Sequence, residues 1–317
     1  MSVPTGGCEV LVVGPYFADL IFGGFSRPVL PGTEVFAKAF NLLPGGAFTL
    51  AIGLRRLGHD VVWATDFGND VFSREVLALA RDEGLDETGF RHHDVPLRSI
   101  TVALSYPDDR AMVTYQDSVC SAALADVVVE HRPRVLMLPL LKYDMATYGG
   151  LRAARELGSQ VFMDSQDVAG TLATPLLRDT LALVDVFAPN ADEALRLTSA
   201  TTVDDALRVL ANLVDTVVVT RGADGATVVQ GGRRCDVAGV SLGVVDTTGA
   251  GDCFNVGFMH ARLSGWPLAD CVVAGVACGA AAITGPGSSA APYLAELDQW
   301  LSRVPRPQQE AIQRQHP

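Results

Sequence analysis

Apolar residues along this chain come in short unbroken runs separated by stretches of helical spacing. The first run, Glu9-Val10-Leu11-Val12-Val13-Gly14, is closed by glycine and reads as a strand buried on both faces. Similar runs recur at residues 60–64, 135–138, 161–163, 186–188 and 216–220. Between them the apolar spacing predicts helices over 48–57, 71–83, 145–157, 192–197 and 203–213. Strands that alternate with helices imply an α/β fold, a mostly parallel sheet covered on both faces, with ligands beyond the carboxyl ends of its strands.

Two stretches break the alternation. Residues 20–40 and 98–115 carry proline and glycine turns with short alternating runs, among them Ser99-Ile100-Thr101-Val102-Ala103-Leu104 and Ala111-Met112-Val113-Thr114-Tyr115. Pro107-Asp108-Asp109-Arg110 between the latter two is a hairpin signal. These stretches read as a small β lid inserted into the main domain. The expected division is a core of residues 1–14, 43–94 and 118–304, a lid of 15–42 and 95–117, and a flexible tail of 305–317. From 251 to about 302 the pattern is mostly helical, with breaks at Gly265-Trp266-Pro267 and Gly285-Pro286-Gly287.

Composition narrows the function. The chain has 317 residues, 49% hydrophobic and 19% charged, which supports one large packed core and excludes general disorder. The formal charge of −12 has the wrong sign for a protein that neutralises nucleic-acid phosphates or anionic lipid. Lys38 and Lys142 are the only lysines and neither follows a glycine, so there is no Walker A loop and phosphate must be met by backbone and arginine. Six cysteines without Cys-x-x-Cys spacing read as structural thiols of a reducing compartment, the cytoplasm. No apolar run reaches membrane-span length, so no membrane partner is expected.

The chemistry concentrates in Asp246-Thr247-Thr248-Gly249-Ala250-Gly251-Asp252-Cys253-Phe254-Asn255-Val256-Gly257-Phe258. Three small residues precede a carboxylate at the opening of a helix, where free backbone N–H groups favour anions and glycines allow close approach. A carboxylate beside such a cradle can accept a proton from an attacking hydroxyl. The plainer reading makes Asp252 an acidic first-turn residue and the glycines turn formers. Phe254 occupies the last position of a would-be Gly-x-Gly-x-x-Gly, so the dinucleotide fingerprint fails.

This segment closely resembles the C-terminal signature of the ribokinase-like (PfkB) family of sugar and nucleoside kinases, and the resemblance covers nearly the whole chain in family order. Gly14-Pro15-Tyr16-Phe17-Ala18-Asp19 resembles the segment whose aspartate binds sugar hydroxyls, and Leu43-Pro44-Gly45-Gly46 the N-terminal signature. Residues 66–72 resemble the family's glycine-containing turn, Pro189-Asn190-Ala191-Asp192-Glu193 its Asn-x-x-Glu motif, and residues 219–225 the nucleotide-binding strand and turn. The resemblance implies a ribokinase-like fold and transfer of the γ-phosphate of ATP to an alcohol, a primary hydroxymethyl, of a sugar or nucleoside. It implies Asp252 as catalytic base, Gly249, Ala250 and Gly251 as anion hole, and Asn190, Thr220, Gly222 and Gly225 around the nucleotide. It further implies Asp19, Gly45, Gly46 and Phe17 around the acceptor, and Glu193 holding Mg²⁺ through water. Asp246 and Thr248 would adjoin a K⁺ ion, and a homodimer would form through the lid.

The departures bear on the acceptor. Leu50 stands where the family's signature usually has a sugar-binding asparagine, Phe17 where ribokinases have another, and residues 137–141 are apolar where ribokinases carry a glutamate. Phe17, Phe36, Phe48 and Tyr115 lie in segments within reach of an apolar or aromatic portion of the substrate, which favours a nucleoside or substituted sugar over a free sugar. A nucleoside kinase specifically, or a catalytically silent ligand-binding homologue, is the alternative.

Overall fold

Val10 and Val12 belong to one hydrophobic core and Leu11 between them to another, because the first strand lies in a sheet packed on both faces. The computed structural model describes residues 7–106, 110–166, 168–287 and 289–311. The chain begins with β1 (Val10–Val13), β2 (Tyr16–Gly23) and β3 (Ala39–Gly46), then α1 (Ala47–Arg56), β4 (Val61–Phe67), α2 (Val71–Asp82) and β5 (Phe90–His92). The pair β6 (Ser99–Ser105) and β7 (Arg110–Gln116) precedes α3 (Leu124–His131), β8 (Val135–Leu138), α4 (Met145–Glu156), β9 (Gln160–Met163), α5 (Leu177–Leu181) and β10 (Val186–Phe187). There follow α6 (Ala191–Thr198), α7 (Val203–Leu210), β11 (Thr216–Thr220), β12 (Ala226–Gln230), β13 (Arg233–Val237), α8 (Ala250–Leu263), α9 (Leu268–Ala282), α10 (Leu294–Leu301) and β14 (Gln308–Ala311).

The large sheet has the order β14-β13-β12-β11-β10-β9-β8-β1-β4-β5. It is parallel from β5 to β11, and β12, β13 and β14 extend it as antiparallel neighbours. One face packs on α1, α2, α8 and α9, the other on α3, α4, α6 and α7. The strand order reverses direction between β1 and β8, which is where an open α/β sheet parts to admit ligands.

A second sheet, β3-β2-β6-β7, forms the lid. Its register puts Asp19 beside Leu43 and Thr101, and Thr101 beside Thr114. One lid face thus carries the polar Asp19, Asn41, Ser99, Thr101, Thr114 and Gln116 among the apolar Ile21, Leu43, Ala103 and Met112, while the other carries Leu20, Phe22, Phe40, Leu42, Ile100, Val102, Leu104, Val113 and Tyr115. β3 runs on to Gly46, past the lid boundary expected at 42, and delivers the chain directly into α1. The hairpin turn expected at Pro107-Asp108-Asp109-Arg110 lies largely outside the described residues. Within the stretch expected to be a flexible tail, Gln308–Ala311 instead pairs with β13, whose outer edge would otherwise leave backbone groups bare. Among the described residues no helix is long and apolar enough to cross a membrane.

Candidate active site

Gly249 caps the N-terminus of α8 at φ 76°, a left-handed conformation that favours glycine, and contributes no side chain to the first turn. Among the described residues the cap thus gives the amides of that turn no side-chain acceptor, and Ala250 N–H reaches only Thr247 O, at 3.3 Å. A Cβ at Gly251 would meet no atom within 4 Å, so open space lies above the helix end. Backbone donors, helix dipole and room for an anion coincide at Gly249, Ala250 and Gly251.

Asp252 follows in the same turn. Burial, with the charge of Asp19 second, raises its carboxyl to about 7. Asp19 itself is 8% exposed on β2, and a Cβ on Gly45 would overlap its carboxylate, so that glycine is required by close approach. Phe17 packs against the Gly46 position, and Ala47 N–H donates to Pro15 O at 3.1 Å, fixing the lid strand to the head of α1. The heads of α1 and α8 thus face one another across the Asp19 and Asp252 carboxylates.

On the other side of Asp252, the ends of β9, β10 and β11 surround a cavity of about 80 Å³ lined by Asp164, Gln166, Asn190, Glu193, Thr220, Gly251 and Asn255. Asn190 and Glu193 form a reciprocal cap on α6: Glu193 N–H donates to Asn190 Oδ1 at 3.0 Å and Asn190 N–H to Glu193 Oε2 at 2.8 Å. Thr220 N–H donates to Pro189 O at 3.2 Å, setting the end of β11 beside Asn190. Asp164 accepts from Asn255 Nδ2 at 2.7 Å and from Ser165 N–H at 2.6 Å. Burial first, then the charges of Asp252 and Glu193, hold the Asp164 carboxyl well above the ordinary carboxylate range.

A divalent cation fits this cavity on chemical grounds. Magnesium takes oxygen ligands and keeps several waters, and the lining offers two carboxylates, amide oxygens and a hydroxyl around a space of water size. The crowding of negative charge that raises Asp164 is what a cation would relieve.

The remaining expected positions have separate places. Gly222 sits exposed in the turn after β11 with no atom within 4 Å of an added Cβ, whereas at Gly225 a Cβ would overlap the Val237 carbonyl, so packing accounts for that glycine. Asp246 accepts from Thr248 N–H at 3.1 Å, Thr248 Oγ1 at 2.9 Å and Gly287 N–H at 2.9 Å, and so clamps the loop before α8 to the turn after α9.

The aromatic residues expected near the acceptor do not assemble there. Phe48 is 3% exposed and packs edge-on against Trp63, Phe36 is 82% exposed, and Tyr115 lies on the apolar lid face with its hydroxyl on Asp117. Only Phe17 adjoins the Gly45 and Gly46 segment. Leu50 is fully buried in the core, which accounts for its apolar character. Asp164 and Asn255 escaped the sequence reading; the signal available for Asp164 was its place just after a strand whose carboxyl end faces the site.

Comparison with known proteins follows from this geometry. A family model described as pfkB family carbohydrate kinase matches residues 24–294. The chain is 30% identical to the aminoimidazole riboside kinase of Salmonella typhimurium, over 89% of this chain and 94% of that one. Its fold is that of Arabidopsis thaliana ribokinase complexed with ribose and ATP, with a TM-score of 0.75, 21% identity and coverage of 93% and 99%. A fructokinase double mutant from Vibrio cholerae, in a form bound to fructose, ADP and potassium, superposes with a TM-score of 0.76, 23% identity and the same coverage.

Proposed function

The chain belongs to the pfkB family of carbohydrate kinases and is an ATP-dependent kinase of a sugar or nucleoside, and we propose that the residues gathered at the head of α8 carry out the transfer. The acceptor hydroxyl lies between Asp19 and Asp252, and Asp252 takes its proton as the new O–P bond forms and the bond from the γ-phosphorus to ADP breaks. The amides of Gly249, Ala250 and Gly251 hold the charge that develops on the transferring group. Asn190, Thr220 and Gly222 border the nucleotide, with Gly225 shaping their turn. Asn190 and Glu193 would hold magnesium through water, where it would neutralise charge on the phosphates.

The observation that carries this reading is that Gly251 and Asn255, on either side of Asp252 at the start of α8, line the cavity that also holds Asp164, Asn190 and Glu193, while the charge of Asp19 on the lid acts on Asp252. A potassium ion beside Asp246 and Thr248 would stiffen the loop that forms the anion hole. The lid closes over the acceptor with its polar face, and two subunits pair through its apolar face. Five of the six free cysteines are buried, which suits a reducing cytoplasm.

The test is ADP release with ATP, Mg²⁺ and a panel of sugars, glycosides and nucleosides. At least one acceptor is expected to raise the rate far above that with water alone. A panel in which none does so, with Mg²⁺ and K⁺ both present, overturns the reading.

A further inference from the structure

Beyond the carboxyl ends of β1 and β8, at the point where the strand order reverses, the sheet opens into a cavity of about 900 Å³. It is an order of magnitude larger than the cavity beside Asn190, and it lies near the upper end of the ~300–1,000 Å³ that small-molecule sites occupy. Its position ties it to the acceptor site. Pro15, on its rim, bonds the head of α1, and Ser99, on its wall, lies two residues along the polar lid face from Thr101, the strand partner of Asp19.

The lining favours one kind of occupant. Thr88, Gln116, Ser118, Ser121 and Thr147 line the cavity with neutral side chains that can donate to and accept from hydroxyl groups. Arg98 is closed by Asp117 at 2.8 Å and Arg91 lies 3.7 Å from Asp66, and the remaining cation, Lys142, shares the lining with Glu130 and Asp144, so carboxylates match the cations and the groove has no net positive field for an anion. Its one aromatic, Tyr16, is 2% exposed and already stacked on Phe67, so it presents no ring face to a nucleobase.

We propose that this groove is an extension of the acceptor site that takes a neutral, hydroxyl-rich group, so that the preferred acceptor is a glycoside or oligosaccharide rather than a free monosaccharide or a nucleoside. The inference rests on the kinase reading above. Thr101 and Thr114, whose hydroxyls lie 3.1 Å apart, continue the row of polar groups from Asp19 toward Ser99.

The experiment compares kcat/KM for glucose, fructose, maltose, sucrose, maltotriose and adenosine in wild type and in Ser121→Trp, which places a bulky ring on an exposed wall of the groove. Calorimetric titration of maltotriose and sucrose without ATP runs beside it. A di- or trisaccharide is expected to lead the monosaccharides and adenosine by about tenfold or more, and Ser121→Trp to erase that lead while monosaccharide turnover stays within about twofold. A lead for a monosaccharide or adenosine, or a saccharide lead that survives Ser121→Trp, overturns the subsite and leaves the kinase standing. Saccharide binding that Ser121→Trp abolishes, without ADP release from any acceptor, overturns the kinase reading and keeps the groove as a saccharide site.

Discussion

Asp252 has a carboxyl raised to about 7 by burial and by Asp19, so it gains a proton in the range where the enzyme is assayed. A general base works only when deprotonated. The kcat/KM profile is expected to fall as pH drops below about 7 and to level off above it. Asp252→Asn is expected to lower kcat by ~10²–10⁴-fold and remove that limb. Stability should move the other way. The folded carboxyl binds protons more tightly than the unfolded one, whose ordinary value is 3.8, so folding loses free energy as pH rises from there toward 7. Ligand-free Asp252→Asn should therefore melt higher than wild type at pH 8, with the gain gone near pH 4. A lower melting temperature at pH 8 would place the cost elsewhere. Glu193→Gln, which leaves the amide cap of α6 possible, is expected to raise the Mg²⁺ concentration for half-maximal rate by ~10–100-fold and the acceptor KM little; an unshifted metal titration would remove Glu193 from the metal's surroundings. Asp252, Asn190 and Glu193 were legible because each stands in a short contiguous motif, and the Asn190–Glu193 motif is closed by its own reciprocal cap. Asp164 and Asn255 meet across 91 residues, and no local pattern records such a pair.

The helices α1 and α8 place those residues, and they run side by side with both heads at the site. Gly53 allows the approach, since a Cβ there would lie 2.6 Å from Val256 Cγ2. At the other end His59 follows α1 and His260 lies late in α8; His59 Nε2 and His260 Nδ1 are 2.9 Å apart and share a hydrogen bond. Glu9 Oε2 lies 3.1 Å from His59 Nδ1, and Arg134 reaches the other Glu9 oxygen at 3.5 Å. Burial, with His59 second, holds His260 down to about 4. The unfolded imidazole, ordinarily near 6.5, takes its proton first, so stability is full above that value and drains as pH falls toward 4. His260→Gln is expected to flatten the fall in melting temperature between pH 6.5 and 4; an identical slope would assign the acid loss to other groups. Element identity was largely readable because β1, β4, β8, β9 and β11 are short apolar runs flanked by glycine, proline or polar residues. α3 went unread, since Ala123 offers no side-chain cap and Val127-Val128-Val129 has strand character. β12 and β13 went unread because they hang on the sheet's antiparallel margin, outside the strand–helix alternation that revealed the rest.

At the scale of the whole molecule the lid has two opposite characters. The face over the site holds the lid's polar row, whereas the other, by strand register, carries no charged side chain among the described residues: Val113 is 67% exposed, Phe40 55% and Tyr115 54%. Alternation of this kind was visible in the sequence as a lid, but which parity faced outward depended on where Asp19 fell, and only the packing of Gly45 against its carboxylate fixes that. An apolar sheet face left in water is an association surface. A second copy of the chain would meet it without bringing charge into contact, although each subunit carries −12, because this face has no charged side chain among the described residues. A stable interface needs about 800 Å² from each partner, which the paired faces of four strands can supply. The protein is expected to sediment as a dimer and Val113→Asp as a monomer, since two buried carboxylates would then face one another without partners. Val113 and Thr114 are adjacent on β7, pointing to opposite faces, so loosening the outer face loosens the row that reaches Asp19. The monomer is therefore expected to show a raised acceptor KM with the KM for ATP little changed. A Val113→Asp protein that still sediments as a dimer would show that the subunits meet elsewhere, and a monomer with unaltered acceptor KM would show that the lid holds its polar face in place alone.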